Sequence, residues 1–199
     1  SSFRGFLESY TLRVLGTLEG PALCRAFQLT LAASLEQDDS AGNLAGNCEL
    51  LELDRLVTAM RLTRESREGS KRTGKALLRV AAEMTGREDL ADLYAKSSKE
   101  GINMPVAFGI VSALLGASME ESLLAFLFNG VNGLVQSAVK LVPLGNSEAQ
   151  KLVLAFYPVI DCACSVAIST PIENASAFCP AFDLASIRHE TLATRLYMS

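Results

Sequence analysis

The chain has 199 residues, 49% of them apolar, with 18 basic and 22 acidic side chains and a formal charge of −4. That is enough for about one domain with a sizeable core, and too apolar for a disordered segment. The acidic balance argues against a general attraction to nucleic acid or anionic lipid, both of which favour a basic excess.

The elements follow in chain order. Phe3, Phe6, Leu7, Tyr10 and Val14 recur at helical spacing, which predicts a first helix ended by Gly20-Pro21. A second apolar helix runs to about Gln37, and Asp38 to Cys48 is a polar, glycine-rich loop. One long helical zone is expected from Glu49 to Met84, with Gly69 and Gly74 allowing close packing or a kink and Gly86 as the C-terminal cap. A short helix covers Glu88 to Lys99. Pro105 fits the first turn of the next, which stops at Gly116. Ser118 and Glu121 have capping-box spacing and open a helix to about Leu141. Ser147 and Gln150 have it too, opening a helix to about Ser165 that Pro158 kinks. Thr170 to Cys179 is a loop, and Pro180 to about Tyr197 a final helix. No run alternates as a strand does. The prediction is an all-α, single-domain bundle of roughly eight to ten helices spanning residues 1–199.

Two uncharged stretches, Gly101 to Met119 and Ser122 to Val139, are long enough to cross a bilayer. Their glycines, Pro105, Asn129, Asn132 and Gln136 fit helices buried in protein better, so no membrane span is expected. Five cysteines, Cys24, Cys48, Cys162, Cys164 and Cys179, form an odd set that suits a reducing compartment, the cytoplasm. The sequence opens at Ser1 with no secretory signal, so the natural start is expected to lie upstream.

Chemistry-bearing motifs are sparse. The single histidine, His189, and the lack of HExxH, phosphate-loop, dinucleotide or GxSxG patterns predict no catalytic residues and no cofactor. Cys162 and Cys164 are two apart, so on a helix they diverge by about 200° and cannot close on one ion. No metal site is expected.

Three constellations have both a plain and a functional reading. Thr63 to Arg72 is either a solvated helix face laced by Arg64–Glu68 and Glu68–Arg72 pairs or a charged docking surface. Asn129, Asn132, Gln136 and Lys140 share one face of an otherwise apolar helix. They form a satisfied network, an exposed face, or a wet passage ending near Lys140. Residues 180–199 are either a docked or frayed terminal helix or a partner-binding tail, with Arg188, His189, Glu190, Arg195, Leu196 and Tyr197 as its contacts. The helix Ser118 to Leu141 is apolar nearly all round, more than one layer covers. That predicts an isologous homodimer with Leu124 and Phe128 as candidate contacts, and Leu124, Phe128 and Leu134 buried in a core or subunit contact.

These segments resemble the urease accessory protein F (UreF) family. The resemblance lies in Lys140-Leu141-Val142-Pro143-Leu144-Gly145 followed by Gln150, in Ala185-Ser186-Ile187-Arg188-His189-Glu190, and in the ending Arg195-Leu196-Tyr197-Met198-Ser199. Leu62-Thr63-Arg64-Glu65 and Phe108-Gly109-Ile110-Val111 agree as well. It implies a helical, non-enzymatic protein that dimerises and binds a second accessory protein, UreD (UreH in some organisms). Together these recruit the GTPase UreG, regulate it by analogy with GTPase-activating proteins, and deliver nickel to the urease apoprotein. It further implies a UreD-binding tail and a nickel route near Lys140 and Gln150. The family's opening Phe-Ser-His-Ser-type segment is missing, and Thr191-Leu192-Ala193-Thr194 departs from the family's usual Gln and Ser. The rival classes are a helical enzyme, which needs convergent titratable groups in a pocket, and a ligand-sensing helical domain, which usually comes with a DNA-binding unit.

Overall fold

The computed structural model describes residues 3–35, 44–97, 99–141 and 144–190. Among them there is no strand, and helix dominates throughout. The all-α expectation holds. The helices are α1 (Phe3–Tyr10), α2 (Gly20–Leu35), α3 (Cys48–Ala59), α4 (Arg64–Thr85), α5 (Glu88–Lys96), α6 (Met104–Leu114), α7 (Met119–Leu141), α8 (Asn146–Ala155), α9 (Tyr157–Ser169) and α10 (Pro180–Glu190).

Gly20-Pro21 does not end the first helix. Thr11–Glu19 winds as a π-helix and joins α1 to α2 without a turn; the Gly20 N–H reaches back to Leu15 O. Proline lacks the donor that would satisfy the carbonyl four residues earlier. That carbonyl, Thr17 O, instead accepts from Ser176 N at 2.9 Å. The Thr17 hydroxyl donates to Ser176 O at 2.6 Å. A distant loop takes the group that the proline leaves open, so the rod continues.

Two further boundaries differ from expectation. The zone Glu49 to Met84 is broken at Met60–Thr63 into α3 and α4, because Thr63 takes extended backbone (φ −95, ψ 149) and its side chain accepts from Ser66 N. The Ser147–Gln150 box does not form: α8 starts two residues earlier, capped by Gly145 with no side-chain bond. Its continuation bends by 43° between α8 and α9, close to Pro158. The other signals act as read. Gly86 caps α4 in the left-handed region at φ 66, and Pro105 sits in the first turn of α6. The Ser118 Oγ accepts from Glu121 N at 3.2 Å while Ser118 N donates to Glu121 Oε2 at 3.1 Å.

Two apolar groups make the core, and α2 belongs to both. Ala22, Ala26, Leu29 and Ala33 pack with α3, α4, α5 and α6, around Val57, Leu78, Leu90 and Ile110. Leu23 and Cys24 pack with α7, α8 and α9, around Leu127, Val131, Phe156 and Ile160. A helix covered on most sides suits an apolar sequence without a polar face. Small residues allow the close approach: a Cβ on Gly20 would lie 2.5 Å from the Ala167 Cβ, and one on Gly74 only 2.1 Å from Ile102 O. Gly74 thus serves packing rather than a kink. On α7, Leu123, Leu127, Val131 and Val135 face the core. Leu124 does not; it is 48% exposed, while Phe128 and Leu134 are half-buried.

Candidate partner-binding site

The π-helical stretch and the α3–α4 break bring two charges together that lie 42 residues apart in sequence. Arg61 Nη2 meets Glu19 Oε1 at 2.7 Å, with side chains only 8% and 9% exposed. Arg61 Nη1 also donates to the Ser66 Oγ at 3.2 Å, and its Nε is buried without a partner. Arg67 braces the break from the other side, donating from Nη1 to Arg61 O at 2.8 Å and to Leu62 O at 3.0 Å. The hydroxyl of Tyr10 is driven far above its ordinary pKa, first by burial and then by the Glu19 carboxylate, so it remains a neutral phenol.

Tyr10, Glu19, Arg61 and Ser66 line an open groove of about 600 Å³ bounded by α1, the start of α4 and α10. Its walls mix Phe6, Met104 and Phe182 with Glu65, Ser70 and His189. Helix α10 lies along one edge: Phe182 packs against Phe6 and Tyr10, Ser186 bonds to Thr63, and His189 meets Glu65 at 2.8 Å. A second hollow of about 360 Å³ runs between the π-helical stretch and α7. Tyr10, Glu19 and Met104 line both, so they form the partition between them.

The structure distributes the candidate residues unevenly. His189 lies at the groove, and Arg188, beside it on α10, is exposed. Arg195, Leu196 and Tyr197 lie outside the described residues, as does the side chain of Glu190. Of the polar stripe, Asn129 lines the second hollow. Asn132 and Gln136 are half-buried and 3.5 Å apart, whereas Lys140 and Gln150 are exposed. Phe128 stacks on Tyr157 at 6.0 Å beside exposed Leu124 and Leu154. Cys162 is exposed and Cys164 partly buried. Among the described residues no three His, Cys, Asp or Glu side chains group as metal ligands would. One described helix, α7, is long and apolar enough to cross a membrane, or two spans result if bent α8–α9 counts as one.

Sequence reading missed Glu19, Arg61, Tyr10 and Phe182. Only Glu19 carried a signal, as the one charge in the apolar run from Val14 to Cys24. A family model described as UreF matches residues 1–157. The chain belongs to the UreF family. Urease accessory protein UreF of Bacillus sp. (strain TB-90) is 26% identical over 200 residues, covering 100% of this chain and 83% of that protein. UreF of Paenarthrobacter aurescens (strain TC1) is 32% identical over 150 residues, 74% of this chain and 67% of that protein. UreF of Geobacillus kaustophilus (strain HTA426) is 28% identical over 198 residues, 100% and 82% respectively. The UreF model ends within α9, while the Bacillus and Geobacillus proteins align through α10 as well.

Proposed function

We propose that this UreF-family chain is a non-enzymatic cytoplasmic scaffold for urease maturation. It binds UreD (UreH), and with it recruits the GTPase UreG and assists nickel insertion into the urease apoprotein. The chain end from α10 onward is the UreD-binding element. The observation that carries this reading is the way α10 sits: one face rests on the body, and Leu184 and Ile187 remain 58% and 45% exposed on the rest of it. An apolar strip left open beside a groove of mixed lining has the character of a protein contact rather than of a reaction site.

The same reading assigns two further roles. Leu124 and Phe128, with Tyr157 and Leu154 alongside, form the contact of a homodimer. Asn129, Asn132, Gln136, Lys140 and Gln150 line a polar route that closes only when partner chains cover it, and nickel passes along it. The test is a deletion of residues 188–199, followed by UreD capture, urease activation in nickel medium and a thermal melt. The expected result is a normal melt with capture and activation lost. A truncated chain that melts normally and still captures UreD removes residues 188–199 from this role.

A further inference from the structure

Three of the side chains by which helix α10 meets the body form one row. Phe182, Ser186 and His189 are spaced four and three apart and so share a helical face. Phe182 lies 5.0 Å from the Tyr10 ring and 6.2 Å from the Phe6 ring, centroid to centroid. Ser186 Oγ donates to Thr63 Oγ1 at 3.0 Å, and His189 Nδ1 lies 2.8 Å from Glu65 Oε2. Ring packing alone is a pivot, because aromatic contacts tolerate rotation. The two polar contacts, one and two turns further on, remove that rotation.

The receiving groups are fixed independently of α10. Thr63 is the N-cap of α4, held by its own bond to Ser66 N. Glu65 sits in the first turn of α4, where the helix dipole favours a carboxylate. We infer that Glu65, seconded by Thr63, is a positioning residue: acting through His189, it fixes the orientation of α10 and so the direction in which the chain end meets its partner protein. This rests on the reading that residues 188–199 bind UreD. A partner that recognises one orientation loses affinity in proportion to the fraction of molecules that hold it.

The experiment uses the full chain and the UreD protein of the same cell. Glu65→Ala, Glu65→Gln, His189→Asn and the double variant Glu65→Ala/His189→Asn are compared with the deletion of 188–199. Amide exchange, melting temperature and UreD affinity are read for each. In Glu65→Ala, exchange across residues 181–190 rises and Kd weakens, each by about tenfold, while the melt stays in place. Glu65→Gln, which keeps an acceptor, restores part of both. The double variant is no worse than either single one, because the two residues act through one contact. Should Glu65→Ala melt early, His189→Asn leaves α4 intact and must show the same two changes. Unchanged exchange in α10 overturns the inference, as does additivity in the double variant. So does an unchanged Kd in Glu65→Ala when the deletion abolishes binding. If the deletion itself leaves binding intact, the UreD reading falls, and the inference falls with it.

Discussion

Glu19 and Arg61 hold opposite charges 2.7 Å apart, nearly out of solvent, and removing either leaves the other without its counter-charge. Glu19→Ala is expected to destabilise the chain by about 3–5 kcal/mol, whereas an apolar pair of similar volume, Glu19→Met with Arg61→Met, recovers most of that loss. Urea denaturation of the three proteins measures it; a cost below about 1 kcal/mol for Glu19→Ala contradicts the burial argument. The cysteines give a second test at this scale. Burial pushes the thiols of Cys24 and Cys164 up to about 11, with a neighbouring carboxylate or thiol adding to it, so both stay protonated at neutral pH. A thiolate, not a thiol, is the nucleophile. Alkylation near neutral pH is therefore expected first at Cys48 and Cys162, whose side chains are exposed. Cys24 and Cys164 follow only as pH climbs toward their raised values. Peptide mass spectrometry of a time course reads the order, and early labelling of Cys24 contradicts it.

At the scale of elements, the caps are the testable parts. Thr63 caps α4 and also receives Ser186, so Thr63→Ala is expected to cost about 1–2 kcal/mol, at the upper end for a lost N-cap. The capping box of α7 adds a pH signature. Hydrogen bonds from Ser118 hold the Glu121 carboxyl below its usual pKa. A lowered folded-state pKa stabilises fully above the unfolded glutamate range and fades as pH falls through the lowered value. The gap in melting temperature between the natural chain and Ser118→Ala is thus expected to be wider at pH 7 than at pH 3. A gap that does not narrow on acidification removes Glu121 from the box. Legibility followed the same division between local and distant causes. Gly86, Pro105 and Ser118 were readable because their effects are settled within one helical turn. Gly20-Pro21 was misread because whether a proline stops a helix depended on Ser176, which no local pattern reveals. The α3–α4 break hid inside continuing periodicity, and the Glu19–Arg61 pair depends on two chain segments crossing. Half of the proposed tail contacts, Arg195, Leu196 and Tyr197, lie outside the described residues, so sequence alone speaks for them.

For the whole molecule, the sharing of α2 between two apolar groups predicts one cooperative transition, since neither group is complete without that helix. Circular dichroism and tyrosine fluorescence melts are expected to coincide. Self-association is expected through the Leu124 and Phe128 face. Leu124→Arg converts a dimer to a monomer by light scattering with the helical spectrum unchanged, and a mutant that stays dimeric moves the contact elsewhere. The free chain is expected to bind nickel more weakly than micromolar, because its one histidine and dispersed thiols supply no clustered donor set. Calorimetry decides it. One bond has a consequence in time. The carbonyl that Pro21 leaves open is matched by Ser176, 159 residues away from Thr17. As the chain leaves the ribosome, Thr17 is made well before the Ser176 that supplies its missing donor. Until then water must occupy Thr17 O, and the rod is free to flex at its proline. A helix made ahead of the loop that completes its hydrogen bonds therefore becomes rigid only when that loop arrives.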